Sequence, residues 1–215
     1  MLIDNLWTAG GIFNISLLGF SLLAIDLIIE RIIFWWRIKQ NQRRIIKEVL
    51  SLYKTDCFAA ISKLKKNARL PIARTFLETI ELEQPTPDEF RLALDSALQA
   101  EIPILRRFVT WFQTIITASP LLGLLGTILG LIQSFSATDL GNAASTNTTG
   151  VTGGLSEALI STVMGLVVAI LTLLFANTFR GLYLRELAFI QECGGQLELL
   201  NRRFDRGGRQ YAIDR

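Results

Sequence analysis

The sequence predicts an all-α membrane protein with three transmembrane helices and long cytoplasmic helical extensions. Three observations carry this expectation. The chain has 215 residues, of which 50% are hydrophobic and only 19% charged, and its mean hydropathy is +0.39; an ordinary soluble domain carries about 25% charged residues. Two long runs hold no charge at all, 31 residues from Phe108 to Thr138 and 22 from Ala158 to Phe179, and runs of 18 or more read as membrane spans. The 22 lysines and arginines are unevenly distributed, which orients those spans. The apolar content also excludes disorder for most of the chain. Without a single histidine, no His-ligated metal, His general base or Ser-His-Asp triad can form.

The first element is residues 1–36, an outer N-terminus followed by a span. Met1-Leu2-Ile3-Asp4-Asn5 lacks the basic start of a signal peptide, so the apolar stretch from about Gly11 to Trp36 is expected to be retained. Its uncharged core, Ile12 to Ile25, is followed by Asp26, Glu30 and Arg31, and Trp35 and Trp36 suggest an interfacial aromatic belt. Counting about 20 residues from Ile12 brings the inner edge of the hydrocarbon near Arg31. Glu30 and Arg31 then sit at the headgroups and Asp26 roughly a turn deeper. Those charges read either as an interfacial set that snorkels or pairs, or, for Asp26, as a functional acid.

Residues 37–107 are expected to form a cytoplasmic helical segment. Ile45, Ile46, Val49, Leu52, Tyr53, Ala60, Ile61 and Leu64 give Gln42 to Leu64 the spacing of one amphipathic helix. Leu70-Pro71 and Gln84-Pro85-Thr86-Pro87 are breaks. Thr86 and Glu89 form a capping box with Pro87 at the first helical position. The helix it opens carries Phe90, Leu94, Ala97 and Leu98 on one face and is expected to run on into the next span, kinked near Pro103.

Residues 108–135 are the second span, 136–154 a polar outer loop rich in Ser, Thr, Asn and Gly, 155–179 the third span and 180–215 a cytoplasmic helical tail. At 1.5 Å per residue each span can cross a ~30 Å core, and helices are required because lipid cannot satisfy open backbone groups. Fourteen lysines and arginines lie in 37–107, seven in 180–215, and none in the first ten residues or in 136–154. The positive-inside rule therefore puts the large segment and the tail in the cytoplasm. The net charge of +3 needs no nucleic-acid partner to explain it. Cys57 and Cys193 form no CxxC pair and, both cytoplasmic, are expected as reduced thiols without a role.

Two spans carry features that could do chemistry. In the second, Pro120, Gly123, Thr127, Gly130 and Ser134 recur at steps of three and four, and Gly126 with Gly130 forms a GxxxG. Small residues drive helix association in lipid, so this stripe reads as helix packing or as a pore-facing surface with the Thr127 hydroxyl; both can hold. In the third, Glu157 is the one ionisable residue, followed by Ser161, Thr162, Gly165, Ala169, Thr172, Ala176 and Asn177. A carboxylate in hydrocarbon costs roughly 2.5–3.5 kcal/mol and usually faces a bundle interior or a water-filled path. Its alternative is a cap at the helix N-terminus, where the dipole favours it. No phosphate loop, metal-ligand spacing or pair of catalytic carboxylates appears, so neither an enzyme nor a cofactor is expected.

At these residues the chain resembles the ExbB/TolQ/MotA proton-channel family. One matching stretch runs Ala118-Ser119-Pro120-Leu121-Leu122-Gly123-Leu124-Leu125-Gly126-Thr127-Ile128-Leu129-Gly130-Leu131, another Leu155-Ser156-Glu157-Ala158-Leu159-Ile160-Ser161-Thr162-Val163-Met164-Gly165-Leu166, and Ile28-Ile29-Glu30-Arg31 ends the first span in the usual way. Three spans favour the ExbB and TolQ branches over the four-span stators, with ExbB the nearer. The resemblance implies a periplasmic N-terminus, a cytoplasmic C-terminus and an inner-membrane location. It implies Glu157 as the pore acid, with Thr127 and Thr162 lining the proton pathway, and Pro120, Gly123, Gly126, Gly130, Ser134, Ser161 and Gly165 lining or packing beside it. It implies a homopentamer around the paired helices of an ExbD- or TolR-like single-span partner, passing work from the proton motive force to TonB or TolA. A third helix that begins within the polar loop, as family helices do, sets Glu157 deeper than hydropathy alone. Asp26 departs from the apolar residue usual there.

Overall fold

The computed structural model describes residues 11–82, 85–139 and 148–213, with side chains described for 15–40, 42–82, 85–132 and 159–203. These residues form six helices and, among them, no strand. Helix α1 (Gly11–Tyr53) is 43 residues long. With no proline to interrupt it, the first expected span and the start of the cytoplasmic segment are one continuous element. It closes in a turn where the N–H groups of Lys54 and Thr55 reach the carbonyls of Ser51 and Leu52 at 3.3 and 3.0 Å. Helix α2 (Cys57–Lys66) starts at once, because Asp56 Oδ1 accepts the Ala59 N–H at 3.1 Å. Lys63, Lys65 and Lys66 fill its last turn, at the negative end of the dipole. The single amphipathic helix expected over Gln42–Leu64 is therefore two helices, and the reason is the N-capping carboxylate at Asp56.

Helix α3 (Pro71–Ile80) carries its proline in the first turn, where the missing N–H has no partner to lose. Helix α4 (Pro87–Leu105) opens on the capping box read in the sequence: Thr86 N–H donates to Glu89 Oε2 at 2.8 Å, and Glu89 N–H to Thr86 Oγ1 at 3.3 Å. It does not continue through a kink at Pro103. It ends at Leu105, and Phe108 takes a φ of 68°, a left-handed conformation that costs a non-glycine about 1–2 kcal/mol and ends a right-handed helix. The Arg31 guanidinium lies 5.4 Å from the Phe108 ring centroid. Helix α5 (Val109–Asp139) begins beyond this break. Helix α6 (Thr148–Ile213) runs 66 residues. Both helices reach into the stretch 136–154 that composition reads as loop, because extending an existing helix costs far less than nucleating one and outweighs the weak propensities of Ser, Thr and Gly.

The chain divides into two compact units, one made from the residues up to Arg31 with Phe108–Phe179, the other from Ile32–Arg107 with the residues from Arg180 onward. In the first, Ala24, Leu27, Phe112 and Ile115 form the buried cluster, with Val168, Ala176 and Phe179 of α6 packed against it. The Phe112 and Phe179 rings are 5.8 Å apart. In the second, Ile46, Val49, Leu64, Ile72, Phe76, Phe90, Ile190 and Leu197 are fully or almost fully buried. Arg74 clamps Glu101 in a two-pronged ion pair at 2.6 and 2.5 Å and also donates to the Ala68 carbonyl at 3.1 Å. Gln42 Nε2 donates to the buried Glu186 carboxylate, and Tyr53 Oη donates to Asn201 at 3.2 Å. A Cβ at Gly194 would stand 2.7 Å from Leu94 Cδ2, so a glycine there lets the α4 leucine press against α6.

Among the described residues, two segments are long and apolar enough to cross a membrane, Pro87–Ile132 with a mean hydropathy of 2.1 in its best stretch and Leu159–Arg203 with 2.6. Only 17% and 22% of those stretches are buried, so their leucines, isoleucines and valines point outward.

Candidate functional site

The two motif-bearing helices of the first unit, α5 and α6, meet through small residues. A Cβ built on Gly123 would lie 2.9 Å from the Ser161 carbonyl oxygen and 2.9 Å from the Thr162 Cα, and one on Gly165 would overlap the Ser119 carbonyl. Glycine is needed at both positions because backbone, not a yielding side chain, occupies that space. The contact is therefore a pair of small residues four apart on each helix, Ser119 with Gly123 facing Ser161 with Gly165. Ser161 Oγ donates to the Gly123 carbonyl at 3.1 Å, a bond between helices that also draws the backbones together.

Around this seam the hydroxyls fall into two groups. Thr127 Oγ1 donates to the Leu124 carbonyl of its own helix at 2.7 Å, and Thr172 Oγ1 to that of Val168 at 2.7 Å. The hydroxyl oxygens of Ser119 and Thr162 are shielded from solvent and have no hydrogen-bond partner among the described residues. A shielded polar atom without a partner is uncommon and asks for a water or a second polar group.

Each residue read from the sequence can now be placed. Gly123, Ser161 and Gly165 are buried at the α5–α6 contact; Pro120, Gly126, Thr127, Gly130 and Thr162 are half-buried. The side chains of Ser134 and Glu157 lie outside the described residues. The helical segment holding position 157 does not: α6 begins at Thr148, nine residues earlier, so position 157 stands beyond the first turn in which a helix dipole favours a capping acid. It precedes Ser161 by one helical turn. Ser119 lies within the first family-like stretch but outside the small-residue stripe of α5. Its signal in the sequence is the four-residue spacing Ser119–Gly123, repeated in Ser161–Gly165, beside the more familiar Gly126–Gly130 spacing. Asp26 is exposed, Glu30 lies 3.7 Å from Arg31, and Arg31 is buried under the Phe108 ring.

Two groups in the second unit deserve their own chemistry. Burial pushes the Tyr53 phenol up to about 12, with Cys57 adding to the effect. The Cys57 thiol is raised by its own burial and by Asp56, so it is a poorer nucleophile than a free cysteine.

Residues 66–192 match the MotA/TolQ/ExbB proton channel family. A biopolymer transport protein of Synechocystis sp. named ExbB-like 3 is 65% identical over 196 residues, 91% of this chain and 93% of that one. A second from the same organism, ExbB-like 1, is 34% identical over 90% of this chain and 76% of its own length. The Tol-Pal system protein TolQ of Haemophilus influenzae is 32% identical over 57% of this chain and 55% of its own.

Proposed function

We propose that this chain, which belongs to the MotA/TolQ/ExbB proton channel family, is the channel-forming subunit of an inner-membrane motor that uses the proton motive force to energise outer-membrane transport through a TonB-type transducer, together with an ExbD-like partner. The observation that carries the reading is the α5–α6 seam. It holds two shielded hydroxyls, Ser119 and Thr162, without partners among the described residues, on the helices that also bear Thr127 and Glu157.

In this reading α1, α5 and α6 cross the bilayer, with the basic segments 37–107 and 180–215 in the cytoplasm. Glu157 takes and releases the proton. Thr127 and Thr162 offer hydroxyls along the path, while Gly123, Ser161 and Gly165 hold the two helices together. Pro120, Gly126, Gly130 and Ser134 continue the small-residue surface of α5 toward neighbouring copies and the partner helices. One charge moving across 100 mV releases about 2.3 kcal/mol, about four times thermal energy, so a few protons suffice to turn a ring of five subunits against a helix pair. One pore acid per subunit cannot by itself make a switchable path, which is why the partner must bring a second one.

The test is Glu157→Gln in the complex reconstituted with its partner. The expected result is an oligomer of unchanged size with proton flux abolished; undiminished flux overturns the assignment. A second reading follows from the TolQ relative: a subunit of the Tol system that maintains the envelope. A deletion strain that leaks periplasmic contents while keeping siderophore or vitamin uptake selects that reading, and the converse phenotype selects the first. The higher identity and fuller coverage of the ExbB-like relatives favour the first.

A further inference from the structure

Asp26 of α1 stands on a helix face that is otherwise apolar. Leu22, Ile25, Ile29 and Ile33 are exposed around it, Asp26 is itself exposed, and it has no ion-pair or hydrogen-bond partner among the described residues. A carboxylate turned toward hydrocarbon in that state is costly, and such groups are normally paired. We infer that Asp26 accepts a hydrogen bond from the side-chain amide of Gln113 in a second copy of this chain. The inference rests on the membrane-spanning reading of α1 and α5 proposed above.

Three observations select Gln113. The first is its level in the bilayer. The Arg31 guanidinium lies over the Phe108 ring, and Ala24 and Leu27 share a buried cluster with Phe112 and Ile115. As residue numbers fall along α1 they rise along α5, so the two helices run in opposite senses. Asp26 lies between Ala24 and Leu27 of that cluster and Gln113 between Phe112 and Ile115, which puts the two at one level. Within one chain the two side chains share a level but form no bond with each other. The second observation is the donor supply. Thr114 and Thr117 are exposed on the same stretch of α5 but give their hydroxyl protons to the carbonyls of Thr110 and Gln113, at 3.0 and 2.9 Å. The Gln113 amide, exposed as well, keeps both its N–H donors. The third is symmetry. Copies inserted in the same sense under the positive-inside rule are related by rotation about the bilayer normal, which leaves depth unchanged. A neighbour therefore presents its Gln113 at the level of Asp26. The bond satisfies an acid and an amide that would otherwise each face lipid, and it is charge-assisted.

The test uses full-length chains in which Cys57→Ser and Cys193→Ser remove the native thiols. One tagged copy carries Asp26→Cys and a differently tagged copy carries Gln113→Cys. Both are co-expressed, and the membranes are treated with a short bifunctional methanethiosulfonate. The expected product is a covalent dimer bearing both tags, released by reductant and lost when either new cysteine is omitted. No such dimer, or an equal yield when Asn177→Cys on α6 replaces Gln113→Cys, overturns the pairing. Leu22→Cys, one turn away on α1, separates the two levels of failure. If it is protected from a membrane-impermeant maleimide while the cross-link is absent, only the Asp26 pairing falls; if it is labelled, α1 is not in the bilayer and both readings fall. A second measurement removes dependence on cysteine packing. Asp26→Leu and Gln113→Leu singly should each shift the oligomer toward monomer in mild detergent, and the double variant should recover it, since two leucines need no polar partner. Singles without effect overturn the inference.

Discussion

The two units of the molecule are held together by different contacts. In the unit from Ile32–Arg107 and Arg180 onward, the interior is made of large apolar side chains, Ile46, Leu64, Ile72, Phe76, Phe90, Ile190 and Leu197, and the outside is charged. In the unit that contains α5, the closest helix contact is built from Ser119, Gly123, Ser161 and Gly165, while Leu121, Leu124, Ile128, Val163, Ile170 and Leu174 lie outside. The first arrangement is what water demands, since removing apolar area from water drives packing. The second is what lipid permits: most leucines can stay outside a small apolar cluster, and backbone approach with a hydrogen bond between helices holds α5 against α6. The same chain thus packs by two rules, and the change falls where the two units divide, after Arg31, before Phe108 and after Phe179.

The largest expected effect comes from breaking the one strong ion pair of the water-type unit. Arg74→Ala leaves Glu101, whose side chain is 7% exposed, with an uncompensated charge, which costs ~3 kcal/mol or more. Thermal unfolding of the purified chain followed by circular dichroism should show the loss, and Arg74→Met with Glu101→Leu together should recover most of it. A wild-type melting curve for Arg74→Ala would mean that the pair lies in high dielectric after all.

In the lipid-type unit the corresponding break is steric. Gly165→Leu forces a side chain into the Ser119 carbonyl and should cost about 1–3 kcal/mol by overpacking, read as a lower melting temperature of the purified chain in detergent. Gly181→Leu, at a glycine with nothing within 4 Å of an added Cβ, should leave that melting temperature unchanged. If both behave alike, the α5–α6 seam is not what holds that unit.

The smallest effect sharpens the comparison at high pH. The folded state holds the Tyr53 proton up to about 12, against about 10 for an unfolded tyrosine. Below pH 10 both states are protonated and the contribution is whole; above it the unfolded state loses its proton first, so stability falls as pH rises toward 12. Tyr53→Phe should cost about 1 kcal/mol at neutral pH through the lost bond to Asn201. It should also flatten the decline between pH 10 and 12, as read from melting temperatures across that range.

Much of this organisation is legible in the sequence, and what escapes it has physical causes. The uncharged runs locate α5 and α6 because hydrocarbon tolerates little else, and Thr86 with Glu89 marks the start of α4 because a capping box is a local interaction. The split at Asp56 was equally local, but the apolar spacing on either side of it kept the same period and hid it. The break at Phe108 left no mark, because a phenylalanine gives no hint of a left-handed backbone when the group that accompanies it, Arg31, is 77 residues away. The extension of α6 back to Thr148 escaped composition because Ser, Thr and Gly predict loops only where no longer helix recruits them. Ser119 escaped because its partner residues lie on another helix, and no spacing within one segment reveals a contact between two.

The glycine seam also sets the kinematics of the pair. If α6 slid along α5 by a single residue, Met164 or Leu166 would be driven toward the carbonyl of Ser119, where not even a methyl group fits. Only shifts of a whole turn, bringing Ser161 or Ala169 to that place, present another small residue, and they would cut the bond from Ser161 to Gly123. The two helices therefore have no continuous sliding coordinate. Over the Ser119–Gly123 and Ser161–Gly165 contact, a displacement of one helix therefore carries the other with it.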